Sequence, residues 1–322
     1  MKGVKFFTIG ISIGLAFALS VNSAQSVLED FLVNQIYIPE KTFLAQVSRE
    51  ALSKRDSFDI NIRVKSALVV KIGNDGEQTI IFDKNSNAKM PIASLTKLMT
   101  AIISLETQSL SEKIEITQPI VFQEGSSGNL RVGEKIAVEE LLKMALVESS
   151  NDAADALAEI NGVNGRENFI NLMNLKAKEI GLRSTNFSTP TGLEIENNFS
   201  SARDMANLAV FILKEYPPNN SIFPFLETSS QSSVIVLSEN GEIHHRAFNT
   251  NELLNSFSQI DDLKIIGGKT GYTDESGGCI VIILQDKDNN HFVNVILGAD
   301  SRESRFSEMR KLIDAFNNEN KI

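Results

Sequence analysis

The chain has 322 residues, 42% hydrophobic and 22% charged, enough for one large domain or two ordinary ones around a sizeable core. A formal net charge of −10 excludes the basic footprint that nucleic-acid binding requires, so no nucleic-acid partner is expected. The single cysteine, Cys279, excludes an internal disulfide and a C-x-x-C redox or zinc site, and with only His244, His245 and His291 a histidine metal site is not expected.

Lys2 and Lys5 precede an uncharged run, Phe6 to Val21, which small residues follow. That order reads as a signal peptide over residues 1–24, or as an N-terminal membrane anchor if it is not cleaved. The run is shorter than the ~20 residues that a spanning helix wants. Either form exports the remainder to the extracytoplasmic side of a membrane. Residues 25–60 show no clear period and are expected to be a linker or a weak helix.

Val64 to Ile72 and Gln78 to Asp83 are β-rich runs on either side of Asp75-Gly76, a hairpin signal. From Ser94 to Glu106 a helix is expected, because Leu95, Leu98, Met99, Ile102 and Ile103 recur at helical spacing. Further helices are expected over Val138 to Val147, Asp152 to Ile160, Arg166 to Ile180 and Ala202 to Glu215, the last stopped by Pro217-Pro218. Strands follow at Ser233 to Leu237, Ile243 to Phe248, Leu263 to Ile266, Gly278 to Leu284 and Phe292 to Leu297, and a helix from Ser304 to Phe316 closes the chain. His244 and His245, adjacent on one strand, are expected to face opposite ways. Strands flanking a long helical middle imply a sheet that carries a helical insertion.

Three short motifs occur in order: Ser94-Leu95-Thr96-Lys97, Ser149-Ser150-Asn151 and Lys269-Thr270-Gly271. Singly they are weak. Ser86-Asn87-Ala88-Lys89 also fits S-x-x-K, but it lies in a polar stretch with no helix to aim it. Ser94 opens a periodic helix, where free N–H groups favour developing negative charge, and Lys97 follows one turn on. The helix wheel alone puts Lys97 opposite the apolar stripe, where a lysine is ordinarily solvated. Its use as a base requires that another part of the fold cover this side, which the small Ala101 and Ser104 permit. A serine hydroxyl needs a base, and a lysine becomes one near neutral pH only through burial or a second cation, a part that Lys269 could play. Ser149 and Asn151 suit proton relay and substrate orientation, or simply helix capping. Lys269, Thr270 and Gly271 suit a strand edge that accepts a peptide and its carboxylate, or a strand-end turn.

Together the trio resembles the penicillin-recognising serine transferases. The flanks Pro91-Ile92-Ala93 and Leu98-Met99-Thr100, with Asp152-Ala153-Ala154, Ser201-Ala202-Arg203-Asp204 and Gly268 to Thr273, are more closely similar to the D-alanyl-D-alanine carboxypeptidases of peptidase family S11. The likeness spans about Val64 to Ile313. It implies a mixed α and β domain over 61–316 of the β-lactamase/transpeptidase-like fold, an antiparallel sheet flanked by helices plus a mostly helical subdomain, with a tail at 317–322. It implies removal of the terminal D-alanine from peptidoglycan stem pentapeptides through a Ser94 acyl-enzyme, with β-lactams as covalent inhibitors and no cofactor. Lys97 would accept the proton, and Ser149, Asn151 and Lys269 would complete the network. The N–H groups of Ser94 and Tyr272 would form an oxyanion hole. Thr270 and Arg305 would hold the terminal carboxylate, beside Gly271. Thr191-Gly192-Leu193 departs from the family, whose members often carry a histidine before Gly-Leu; the change is expected to lie in a loop and alter no core role.

Two rival readings share the motifs. A serine β-lactamase would need a glutamate to activate the deacylating water, which Glu194 with Asn198 superficially offers. A non-catalytic β-lactam or peptidoglycan sensor would be acylated at Ser94 but would release no D-alanine.

Overall fold

The computed structural model describes residues 60–121, 128–159, 165–193, 196–256 and 263–319. The expected signal or anchor segment and all but the last residue of the expected linker lie outside them. Among the described residues no helix is long and apolar enough to cross a membrane.

In chain order the strands are β1 Val64–Ile72, β2 Gln78–Lys84, β3 Met90–Pro91, β4 Lys113–Glu115, β5 Lys135–Ala137, β6 Phe199–Ser200, β7 Ser233–Leu237, β8 Ile243–Phe248, β9 Leu263–Thr273, β10 Gly277–Asp286 and β11 His291–Ala299. The helices are α1 Lys97–Thr107, α2 Gln118–Val121, α3 Val138–Leu146, α4 Asn151–Ala158, α5 Gly165–Glu179, α6 Ala202–Glu215, α7 Phe225–Ser230, α8 Leu253–Ser256 and α9 Ser304–Glu319.

Five strands form one antiparallel sheet in the order β2-β1-β11-β10-β9. Its middle strands are apolar at nearly every position because both faces are covered, and alternate residues go to different cores. Val69, Ile280, Ile282 and Ile296 meet Met309, Leu312 and Ile313 of α9. Leu68, Val281, Val293 and Val295 join the larger core formed with α1 and α3 to α7. The helical segment between β2 and β7 is thus an insertion lying against one face, as the element order implied.

Three differences from expectation stand out, and the first two bear on the site. Ser94 sits in a 3₁₀ turn, Ala93–Thr96, and the α-helix begins at Lys97. The strand expected to end at Ile266 runs on through Lys269-Thr270-Gly271 to Thr273, because Tyr272 and Thr273 pair with Gly278 and Gly277 across a tight hairpin. The motif is therefore strand interior, not a strand-end turn, and it lies on the sheet's outer strand. The closing helix continues to Glu319, past Phe316 and into the expected tail.

Candidate active site

The first motif is held by a backbone wedge. Ala93 has φ +47°, a left-handed conformation that is costly for a residue with a Cβ. It lets the Leu95 N–H reach Ile92 O at 3.2 Å and fixes the turn carrying Ser94. Gly271 of β9 presses on this turn: a Cβ there would stand 2.8 Å from Ile92 O and 3.0 Å from Ser94 N. From the other side Gly192, at φ +83°, approaches so closely that a Cβ would lie 2.0 Å from Ala93 O. Asn198 Nδ2 donates to Thr96 Oγ1 at 2.8 Å and closes the turn from a third direction.

Lys97 is fully buried, so the cover that the helix wheel demanded exists. Thr100 Oγ1 donates to Pro190 O (2.7 Å), which docks the 189–193 loop on the polar side of α1. The Lys97 amine has three neighbours: Asn151 Oδ1 at 2.7 Å, Thr191 O at 3.0 Å and Ser94 Oγ at 3.0 Å. The first two are obligate acceptors and consume two N–H bonds. In the neutral amine the lone pair is left facing Ser94, the one partner that can donate. Burial lowers the Lys97 pKa to about 7 from 10.5, against the opposing pull of Asp155. The geometry suits proton transfer from Ser94 Oγ to Lys97 Nζ near neutral pH.

The second motif turns the chain from α3 into α4. Ser149 is in the left-handed region at φ +65°, and Ser150 caps α4, its Oγ accepting the Ala153 N–H at 3.1 Å. Capping therefore falls to Ser150, while the Ser149 hydroxyl and the Asn151 amide oxygen accept from the two lysines. Lys269, buried in β9, donates to Ser149 Oγ at 2.7 Å and to Thr270 O at 3.2 Å. Burial, then the charges of Lys97 and Arg305, hold its pKa well below the usual lysine value. Each lysine thus contacts one serine, and the charge of Lys97 disfavours a proton on Lys269.

On β9, Thr270 Oγ1 lies 2.6 Å from Thr250 Oγ1. Arg305 reaches from α9 to donate to Gly271 O at 2.8 Å, and its Nε, also buried, has no hydrogen-bond partner. The Tyr272 ring turns to the rim, its OH donating to Asp274 (3.0 Å), so Tyr272 can serve the site through its backbone. The structure brings Ser94, Lys97, Ser149, Asn151, Lys269 and the β9 segment around one locus, with Arg305 beneath Gly271.

The competing assignments have structural employment. Ser86 Oγ donates to Asp83 (2.8 Å) and accepts from Arg203 (3.0 Å), while Lys89 lies over the Phe199 ring. Ser201 caps α6, and Asp204 accepts from Ser184 N (2.6 Å) and Thr185 Oγ1 (2.8 Å), so the Ser201-Ala202-Arg203-Asp204 stretch is scaffold. Asn198 is buried and occupied with Thr96 and Ser188, and Glu194 lies outside the described residues. Sequence reasoning missed Thr191, whose backbone carbonyl is a Lys97 acceptor, along with Thr250 and Asp155. Gly192 was the available signal for the first; a carbonyl contact leaves no side-chain signature.

A fold of this topology with an amine-faced serine defines the penicillin-binding class of serine acyl-transfer enzymes. The chain belongs to the peptidase S11 family, D-alanyl-D-alanine carboxypeptidase, whose pattern matches residues 52–301. It is 34% identical over 279 residues to the D-alanyl-D-alanine carboxypeptidase DacF of Bacillus subtilis, covering 85% of this chain and 67% of that one. It is 32% identical over 239 residues to a D-alanyl-D-alanine endopeptidase of Pseudomonas aeruginosa, covering 72% and 71%. Among solved structures it resembles the Streptomyces K15 DD-transpeptidase, with TM-score 0.69 and 27% identity over 80% of this chain and 97% of that one. It also resembles penicillin-binding protein D2 from Listeria monocytogenes in its ampicillin-bound form, with TM-score 0.64 and 27% identity over 80% and 98%.

Proposed function

We propose that Ser94 attacks the carbonyl carbon between the last two D-alanines of a peptidoglycan stem pentapeptide. Lys97 accepts the Ser94 proton as the O–C bond forms. The backbone N–H groups of Ser94 and Tyr272 stabilise the oxyanion, and a proton passed through Ser149 and Lys269 leaves with the D-alanine amine as the C–N bond breaks. Water then hydrolyses the ester and restores Ser94. Asn151 orients Lys97 and the peptide backbone, which pairs along β9 past Gly271, while Thr270 and Arg305 receive the terminal carboxylate. A β-lactam would acylate Ser94 by the same attack. The observation that carries this reading is the buried Lys97 amine, whose two fixed acceptors leave its lone pair for Ser94.

The basic-then-apolar N-terminus supports an exported chain acting on the extracytoplasmic face of the membrane, where its substrate lies, with the segment cleaved or kept as an anchor. The β-lactamase reading is weakened because Asn198 is committed to Thr96. A pentapeptide assay decides. Stoichiometric release of D-alanine, abolished in Ser94→Ala, is expected. Penicillin labelling without D-alanine release would instead mark a sensor, and rapid penicillin turnover a β-lactamase.

A further inference from the structure

The outer edge of β9, along which the substrate is placed, is closed at one end. In an antiparallel ladder alternate residues turn their N–H and C=O groups to the same side. Gly268 pairs with Ile282 and Thr270 with Ile280, with no shift of register between them. The Gly268 N–H points away from β10, since it donates to Ser229 Oγ of α7 at 3.2 Å. The Thr270 carbonyl, turned the same way, accepts from Lys269 Nζ at 3.2 Å. Gly268, Thr270 and Tyr272 are therefore the residues whose backbone groups line the outer edge.

Before Lys269 this edge meets α7. A Cβ on Gly267 would stand 2.7 Å from Leu226 Cδ2 and 3.3 Å from Ser229 Oγ, and both of those side chains are buried. The Ser229 hydroxyl donates to Leu226 O at 3.0 Å, which leaves its lone pairs for the Gly268 N–H. The end of the helix is tied down from outside. Asn249 Nδ2 donates to Ser229 O at 3.0 Å and to Gln231 O at 2.8 Å. The next residue, Thr250, donates its N–H to Val147 O at 3.2 Å, and its hydroxyl meets that of Thr270. Leu226, Ser229 and the Asn249-Thr250 corner form a braced wall across the line of β9 beyond Thr270. Packing α7 on the strand requires only apolar contact such as that of Leu226. The Ser229 hydroxyl does something further, because it takes an edge N–H that an added peptide strand would otherwise claim.

We propose that α7 sets the length specificity of the site: Ser229 occupies the Gly268 N–H and ends the pairing edge at Thr270, so that the bound peptide must end there. A residue added through the terminal carboxyl finds no edge group to pair with and runs into Leu226 and Ser229. This rests on the orientation assigned above, with the scissile carbonyl at the Tyr272 N–H and the terminal carboxylate at Thr270. Ser229 is then a specificity-determining residue that touches no reacting atom.

Cleavage of the D-alanyl-D-alanine bond by the whole chain is compared, by mass spectrometry, in a stem pentapeptide and in the same peptide extended by one C-terminal glycine. The wild type is expected to favour the pentapeptide about a hundredfold or more in kcat/KM. Comparable cleavage of both would overturn the stop and leave the proposed reaction standing; cleavage of neither would sink that reaction, and the stop with it. Ser229→Gly opens the Gly268 N–H to one more residue and is expected to narrow the preference about tenfold. Leu226→Ala, which clears the space against Gly267, should narrow it as well. Loss of active enzyme through poorer folding cancels from this ratio, and penicillin labelling counts the competent protein in each preparation. A preference that neither variant narrows would assign the selectivity to the Thr270 and Arg305 contacts alone and overturn the part given to α7.

Discussion

Asp155 pulls Lys97 toward its charged form from one helical turn beyond Asn151, the residue whose amide oxygen holds the Lys97 amine. Asp155 is itself buried and paired with Arg166, and burial raises its pKa to about 6. Near neutral pH it is ionised, so it partly offsets the desolvation that frees the Lys97 lone pair. Asp155→Asn removes that offset. The acid limb of penicillin acylation, set by Lys97 near pH 7, should move to lower pH, and a shift to higher pH would contradict the electrostatic assignment.

Burying Lys97 carries a stability cost with a defined pH window. Its folded pKa of about 7 lies below the unfolded value of 10.5. Below about pH 7 both states hold the proton and the cost, roughly 5 kcal/mol, is fully present. Between about 7 and 10.5 the unfolded chain binds a proton that the folded chain lacks, so stability rises with pH. Denaturant unfolding of wild type and Lys97→Met across this window should show the stability difference closing as pH rises.

Gly192→Ala should fail at the level of the site's backbone. The φ of +83° and the 2.0 Å approach to Ala93 O leave no room for a methyl group. We expect a loss of about 2 kcal/mol or more of stability, together with slowed acylation, because the Ala93 turn and the Thr191 carbonyl move together. Thermal unfolding and acylation rates measured on one preparation check both.

Thr250→Val removes the hydroxyl that fixes Thr270 Oγ1 at 2.6 Å. The terminal carboxylate is the part of the substrate that Thr270 is assigned to hold. KM for the pentapeptide should therefore rise several-fold, up to about tenfold, with kcat less affected. A kcat effect alone would place Thr250 elsewhere in the mechanism.

Much of this was legible in the residues. The α6 helix and the β7 and β8 strands lie where their patterns put them, because side-chain alternation and the Pro217-Pro218 stop are local signals. The six-residue α7 and the two- and three-residue ladders β3–β6 and β4–β5 are too short to express a period. The trio of motifs pointed to Ser94, Lys97, Ser149, Asn151 and Lys269, which the fold brings together, but Lys97 on its own helix read as a solvated lysine. Its cover comes from α4 and the 189–193 loop, residues far along the chain. His244 and His245 do not face opposite ways as strand alternation predicts: His244 is the extra residue of a β-bulge between the Val236–His245 and Leu237–Ile243 pairs, and ladder register is not revealed by alternation within one strand.

The pH dependence of penicillin acylation, followed by mass spectrometry of the Ser94 adduct, tests the central relationship most directly. A neutral Lys97 drawing the proton from Ser94 predicts a rate that rises to a break near pH 7 and then levels. A rate that climbs without a break until about pH 10, as a solvated lysine would impose, contradicts it.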